Sequence, residues 1–258
     1  MGDQAVTGLF SFLFGLVIGS FLNVCIERLP QGRSVVRPAS SCPGCGARIR
    51  FYDNIPLLSY LVLRGRCRSC GGVISPRYPA VELTSGFLST ALFFGFGTGP
   101  SYFFYLAFFS VLIVVTFIDL RHQIIPDALS IPGLLLGLAF SLTPWSEITW
   151  PDALVGAAGG GGFLLAVAVG FERLTRKEGM GMGDVKLLSM IGAWLGWRAL
   201  PFVVLISSVS GIVLGGGALL LARRGLKVRI PFGPFLALGA LIHFFFGTRL
   251  VEFYLGLL

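Results

Sequence analysis

Long apolar runs without a charged residue constrain the fold of this 258-residue chain more than any other feature. A helix crosses a lipid bilayer with about 20 apolar residues. The chain is 55% hydrophobic and only 12% charged, a composition that does not fit a soluble domain. The sequence therefore predicts an all-α polytopic membrane protein. The six runs cover residues 4–26, 83–118, 128–146, 153–171, 199–222 and 230–248.

The number of membrane crossings follows from how these runs divide. The run 83–118 is too long for one crossing, and the turn signal at 97–101 (GTGPS) predicts that it forms two helices. The shorter segment 185–197 adds a helix if Lys186 extends to the membrane surface. We expect about eight transmembrane helices, or seven if that segment is re-entrant. The run 4–26 lacks a basic leader, so we interpret it as a retained helix.

The distribution of positive charge predicts the orientation. Nine of the 20 lysines and arginines are arginines between residues 28 and 77, and positive loops collect on the cytoplasmic side. With this segment inside, both chain ends lie outside, and Asp119 and Asp184 lie at the cytoplasmic edge. Arg198 falls in a short outside loop and is a mild violation of this rule. The other basic loop residues on the inside are Arg121, Arg173, Arg176, Lys177, Arg223, Arg224, Lys227 and Arg229.

The net charge of +8 needs no nucleic-acid partner under this orientation. Basic loops beside an anionic lipid leaflet account for it. The lipid bilayer is therefore the first partner that the sequence predicts.

The polar segment between the first two helices contains two CxxC pairs, Cys42 with Cys45 and Cys67 with Cys70. Four thiolates fit a tetrahedral zinc site. Disulfides are the competing interpretation, but they are rare in the reducing cytosol, where we place this segment. No His or carboxylate stands beside the cysteines, so we expect structural zinc that helps to fold a small insert.

Two aspartates stand at the ends of apolar segments. Asp119 closes the run 83–118, and Asp184 follows the glycine-rich stretch 179–183. Ionisable groups at membrane depth are costly and usually serve a site. A helix N-cap is the alternative for Asp184, and it applies with more force to Asp127. It does not apply to Asp119, because the dipole at the end of a helix disfavours an anion.

Two carboxyl groups held close together do not both ionise easily. One keeps a proton while the other activates water. If Asp119 and Asp184 meet, they therefore form the arrangement of an aspartic protease, which needs no metal.

Five motifs stand in a fixed order along the chain. They are 19–30 (GSFLNVCIERLP), the CxxC pairs with 52–56 (YDNIP) between them, 77–83 (RYPAVEL), and the segments around Asp119 and Asp184. In this order they resemble the bacterial type IV prepilin peptidases, which are bifunctional leader peptidase/N-methyltransferases. The resemblance covers nearly the whole chain.

The resemblance implies a GxGD aspartic membrane protease with Asp119 and Asp184 as the catalytic pair. Its substrates would be prepilins and type II secretion pseudopilins, cleaved at the cytoplasmic face of the inner membrane. The new amino terminus would then be methylated with S-adenosylmethionine. The predicted division is a first helix at 1–27, a cytosolic zinc insert at 28–80 and a peptidase domain at 81–258. Asp127 matches the family's IPD element, as a supporting residue.

The methyl-donor site has no recognisable fingerprint, because the sequence lacks a strand followed by a glycine-rich loop. Asn23, Glu27 and Arg28 are candidate polar contributors at the end of the first helix, and interfacial anchoring explains them equally well. Glu172 and Glu178 are candidates for binding a basic leader.

Other functions remain open at this stage. A proton-coupled transporter also carries membrane aspartates and glycine-interrupted helices, but we find no repeat between the halves of the chain. A GxGD protease without methyltransferase activity is a nearer alternative, against which the insert and the amino-terminal motif argue. A zinc-dependent scaffold with capping aspartates is the third.

Overall fold

The structure is a computed structural model that describes residues 2–176, 180–217 and 230–255. These segments contain nine α-helices and only isolated β-bridges. The helices are α1 (Gly2–Arg28), α2 (Leu58–Val62), α3 (Arg77–Phe96), α4 (Pro100–His122), α5 (Asp127–Ser141), α6 (Trp150–Thr175), α7 (Met182–Leu195), α8 (Leu200–Ser210) and α9 (Gly233–Leu255). The residues of the sequence predictions that lie outside the described segments are Lys177, Glu178, Gly179, Arg223, Arg224, Lys227 and Arg229.

The all-α fold class is confirmed. Every predicted apolar segment forms a helix where it is described, and the run 83–118 is divided as expected, with α3 ending at Phe96 and α4 beginning at Pro100. Within the described part of the chain, four helical segments are long and apolar enough to cross a membrane: Gln4–Gln31, Pro100–His122, Trp150–Thr175 and Trp197–Gly216. With 15 and 14 residues, α5 and α7 are shorter than a full crossing. The count of eight crossings therefore stays a prediction.

The chain forms two compact units, Met1–Val114 and Val115–Leu258. The first unit contains α1, the cysteine-bearing insert, α3 and most of α4. The second contains the end of α4 and the helices α5 to α9. The division into 1–27, 28–80 and 81–258 separates functions rather than compact units, and it stays a prediction.

Small residues bring α1 and α3 of the first unit into backbone contact. A Cβ atom added at Gly15 would lie 2.6 Å from the carbonyl oxygen of Ser85, and one added at Gly19 would lie 2.6 Å from the Cα of Glu82. Such small-residue faces are typical of helices that pack inside membranes, where close van der Waals contact replaces the hydrophobic effect. The start of α3 is thereby fixed beside the end of α1.

Glycines also set the packing of α6 against α7 in the second unit. A Cβ atom at Gly156 would lie 2.2 Å from the carbonyl oxygen of Gly192, and one at Gly160 would lie 2.6 Å from that of Leu188. These two glycines are four residues apart, so they form one face of α6. The helix α7 therefore lies directly on the backbone of α6.

The other side of α7 packs against α5. The indole Nε1–H of Trp194 donates a hydrogen bond of 2.8 Å to the carbonyl oxygen of Gly133. A Cβ atom at Gly137 would lie 2.6 Å from the same indole ring. Contacts on two sides bury most of α7, which begins with the residues around Asp184.

We expect Gly156→Ala to lower the thermal stability of the purified protein in detergent. The added methyl group would overlap the backbone of α7, and overpacking of this kind costs about 1–3 kcal/mol. Gly162→Ala, on the same helix, is the matched control, because a Cβ atom at position 162 meets nothing within 4 Å. Equal melting temperatures for the two variants would contradict the α6–α7 contact.

Candidate active site and metal centre

Asp119 lies in the last turn of α4 and is 5% exposed. Its Oδ2 accepts a hydrogen bond of 2.9 Å from the backbone N–H of Gly233, the first residue of α9. The first N–H groups of a helix lack partners within that helix and attract negative charge. A Cβ atom at position 233 would lie 2.8 Å from the same Oδ2, so glycine leaves the room that the carboxylate occupies.

Asp184 lies in the first turn of α7 and is half-buried. The helix N-cap is Gly181, three residues earlier, so the proposed N-cap role of Asp184 is wrong. Its carboxyl group interacts with the backbone N–H of Gly181 and with the charge of Asp119. Within the second unit, the two predicted aspartates, at the end of α4 and the start of α7, therefore lie close enough for their charges to interact.

Ile125 packs against the glycines beside both aspartates. A Cβ atom at Gly183 would lie 2.8 Å from the Cβ of Ile125, and one at Gly233 would lie 3.2 Å from its Cδ1. One isoleucine therefore occupies the space that side chains at these two positions would take. This contact supplies a packing reason for the glycine directly before Asp184.

Asp127 has a different role from the predicted N-cap. The N-cap of α5 is Pro126, and Asp127 is the first helical residue. Both of its carboxylate oxygens lie 2.7 Å from the Nζ of Lys186. Because both side chains are partly exposed, this pair contributes roughly 0–1 kcal/mol to stability. Its effect is to join the start of α5 to the first turn of α7, two residues after Asp184.

The four predicted zinc ligands meet in the insert of the first unit. The sulfur atoms of Cys42, Cys45, Cys67 and Cys70 all lie within 4.8 Å of one another. The Sγ atoms of Cys42 and Cys70 are 3.9 Å apart. Tetrahedral zinc with Zn–S bonds of about 2.3 Å places sulfur atoms about 3.8 Å apart. The spacing therefore fits one tetrahedral metal ion.

Each CxxC pair forms the same turn. The N–H of Gly46 donates to the carbonyl oxygen of Cys42, and the N–H of Gly71 donates to that of Cys67, both over 2.9 Å. The two glycines have φ angles of 70° and 69°, a left-handed conformation that favours glycine. This explains why a glycine follows each pair in the sequence.

The thiols differ in how readily they ionise. Backbone N–H groups, first that of Cys70, lower the pKa of Cys67 to about 6. The N–H of Ala47 lowers the pKa of Cys45, but the sulfur atoms of Cys70 and Cys42 and partial desolvation outweigh it and raise this pKa to about 11. Because metals bind the thiolate form of cysteine, a bound cation would displace any protons that the four thiols carry.

The other predicted contributors take up separate positions. The guanidinium of Arg28 donates to the carbonyl oxygens of Ser34 and Pro38 over 3.0 and 2.8 Å, which fixes the first loop of the insert. Glu172 is exposed near the end of α6, and Glu178 lies outside the described residues. Asn23 and Glu27 face α3, where they bond to Tyr78 and Arg77.

The sequence alone did not predict two features of the site: the hydrogen bond from Gly233 to Asp119, and the ion pair between Asp127 and Lys186. A usable signal for Gly233 was the Gly233-Pro234 pair at the start of an apolar run, since proline favours the first turn of a helix. The hydrogen bond to Asp119 spans 114 residues, however, and no local pattern predicts it.

The fold and the site define a class: helical membrane proteins with a paired-aspartate site and a separate four-thiol module. Residues 13–96 match the bacterial Peptidase A24 N-terminal domain, and residues 106–216 match the type IV leader peptidase family. The chain belongs to the type IV leader peptidase family. This membership confirms the resemblance drawn from the five motifs and does not favour a transporter.

Similar proteins extend over nearly the full chain. The prepilin leader peptidase/N-methyltransferase of Aeromonas hydrophila is 42% identical over 95% of this chain and 92% of its own length. The protein of that name from Pseudomonas aeruginosa is 40% identical over 96% of this chain and 93% of its own length. The protein of that name from Myxococcus xanthus is 46% identical over 80% of this chain and 61% of its own length. No solved structure matches the chain.

Proposed function

We propose that this chain is a membrane-embedded aspartic endopeptidase that removes the leader peptide from type IV prepilins and type II secretion pseudopilins. The observation that carries the proposal is that Asp119 and Asp184, on two different helices, lie close enough for their charges to interact, with Ile125 packed beside both. The names of the similar proteins support the substrate class and a second activity, N-methylation of the new amino terminus.

The chemistry follows from the pairing of the carboxyl groups. One aspartate accepts a proton from the attacking water, and the other donates a proton to the scissile carbonyl or the leaving amine. The backbone N–H of Gly233 holds Asp119 in one orientation, so the pair needs little rearrangement before the reaction.

The proposed topology has eight crossings in the bacterial inner membrane, with the insert and the aspartates at the cytoplasmic face. The arginine-rich insert supports this orientation. The short helix α7 is covered by α5 and α6, so it need not contact lipid along its whole length. A prepilin helix would stay in the bilayer while its basic leader lies in the cytosol near acidic residues such as Glu172.

The proposed cofactors are zinc and S-adenosylmethionine. The four cysteines would hold one structural Zn²⁺, and the 3.9 Å sulfur spacing supports this assignment. No step of peptide cleavage involves this ion. S-adenosylmethionine would supply the methyl group for the second activity.

We expect Asp119→Asn and Asp184→Asn each to reduce prepilin cleavage by at least about 10³-fold, because an amide cannot exchange the required proton. The measurement is leader removal from a purified prepilin in detergent or lipid. Asp152→Asn, which changes a partly buried aspartate in the first turn of α6, is the control and should retain activity. Retained cleavage in either Asp119→Asn or Asp184→Asn would disprove the catalytic assignment.

Gly233→Ala should lower kcat for prepilin cleavage roughly 10- to 100-fold with little change in KM. The methyl group would take the space of the Asp119 carboxylate and misplace it, and errors of about 1 Å are enough for such losses. Gly170→Ala is the matched control, because a Cβ atom there meets nothing within 4 Å. Equal kcat values for both variants would show that the contact between Gly233 and Asp119 has no role in positioning the Asp119 carboxylate.

The metal prediction concerns zinc content. Elemental analysis of the purified chain should give one zinc per molecule, and Cys42→Ser or Cys67→Ser should lose it because each removes one of four thiolate ligands. Cys25→Ala is the control, since Cys25 is buried in α1, away from the cluster. Unchanged zinc in both serine variants would refute the four-cysteine site.

A further inference from the structure

Three polar side chains meet where α1 ends and α3 begins, within the first unit. Asn23 and Glu27 are four residues apart on α1 and so face the same side. The amide Nδ2 of Asn23 donates to the carbonyl oxygen of Tyr78 over 3.1 Å. The Nη2 of Arg77 donates to the Oε2 of Glu27 over 3.0 Å. We refer to Asn23, Glu27 and Arg77 as the α1–α3 polar cluster.

Two atoms of this cluster are buried without a hydrogen-bond partner among the described residues. They are the acceptor Oδ1 of Asn23, a residue that is 2% exposed, and the Nε of Arg77, whose N–H is a donor. Leaving such an atom unpaired costs about 1–3 kcal/mol. Folded proteins rarely carry this cost without a ligand, a water or a functional reason.

Neighbouring polar groups show that the region can satisfy its own hydrogen bonds. The Oε2 of Glu82, a residue that is 7% exposed, accepts the backbone N–H of Leu57 over 2.9 Å and so anchors the insert to α3. Arg28 bonds two backbone carbonyls of the insert. Contacts with the insert therefore account for Glu82 and Arg28, but they leave the two unpaired atoms of Asn23 and Arg77 unexplained.

We infer that the α1–α3 polar cluster binds the amino-acid end of S-adenosylmethionine, an inference that rests on the proposed methyltransferase activity. The unpaired Oδ1 of Asn23 and the nearby carboxylate of Glu27 match the α-ammonium group of the donor. The unpaired Nε–H of Arg77 matches its α-carboxylate. The side chain of Glu27 is 41% exposed, so the cluster is open to solvent on that side.

The test compares S-adenosylmethionine with 5′-methylthioadenosine, a neutral thioether that lacks the amino-acid chain and, with it, the sulfonium charge. S-adenosylmethionine carries the amino-acid group, whereas 5′-methylthioadenosine lacks it. Equilibrium dialysis with the purified, zinc-loaded full-length chain gives both dissociation constants. We expect Asn23→Ala and Arg77→Lys to weaken binding of S-adenosylmethionine roughly tenfold or more and to leave binding of 5′-methylthioadenosine unchanged.

The Arg77→Lys variant isolates the proposed contact, because lysine keeps the positive charge beside Glu27 but lacks the Nε–H group. Arg68→Lys is the matched control, since Arg68 also pairs with a carboxylate, that of Asp53, over 2.6 Å in the insert. Prepilin cleavage and zinc content report whether each variant is folded.

Two results would overturn the inference. Binding of S-adenosylmethionine that is unchanged in both variants would show that the cluster does not hold the donor. An equal loss for both ligands would show that the cluster only supports the fold. If the unaltered chain binds no S-adenosylmethionine at all, the methyltransferase proposal itself fails, and the variants are not needed to reach that result.

Discussion

The hydrogen bond from the backbone N–H of Gly233 to the carboxylate of Asp119 is the contact on which the proposed active site depends. A buried carboxylate without a donor is expensive, and the end of α4 adds an unfavourable dipole. The start of α9 offsets both costs, because it presents a positive helix end and an N–H group that no residue of α9 uses. The second unit can therefore keep an acidic side chain buried in an apolar helix.

The position of the second aspartate depends on packing rather than on a single bond. Glycines on α6 allow this helix to approach the backbone of α7. On the other side, Gly137 of α5 leaves room for the Trp194 indole, which is hydrogen-bonded to α5. The Asp127–Lys186 pair joins the first turns of α5 and α7 beside Asp184. Ile125 packs against both Gly183 and Gly233 and so connects the backbone segments beside the two aspartates.

The parts of this molecule that follow from local chemistry were predictable from the sequence. Apolar runs located the helices, GTGPS divided the run 83–118 at the correct place, and the CxxC-Gly pairs identified four cysteines that meet within 4.8 Å. Motif order identified the family, as the matches over 13–96 and 106–216 confirm. Each of these signals lies within a short stretch of chain, where residue type and spacing determine the outcome.

Contacts between distant residues were not predictable in this way. Capping was assigned to Asp127 and weighed for Asp184 from their neighbours in sequence, whereas Pro126 and Gly181 are the N-caps. The partner of Asp127 is 59 residues away, and the donor to Asp119 is 114 residues away. The short helix α7 is another such case, because α5 and α6 pack against two of its sides. The hydropathy of a sequence does not show which helices are buried against other helices.

The central claim is that Asp119 and Asp184 act as one catalytic unit, and additivity of their losses tests it most directly. The measurement is the single-turnover rate of prepilin cleavage for each Asp→Asn variant and for the double variant, at saturating enzyme. Because removing either member of a unit already abolishes its chemistry, the double variant should be no slower than the slower single variant. Losses that multiply in the double variant would show that the two aspartates act independently and would contradict the account.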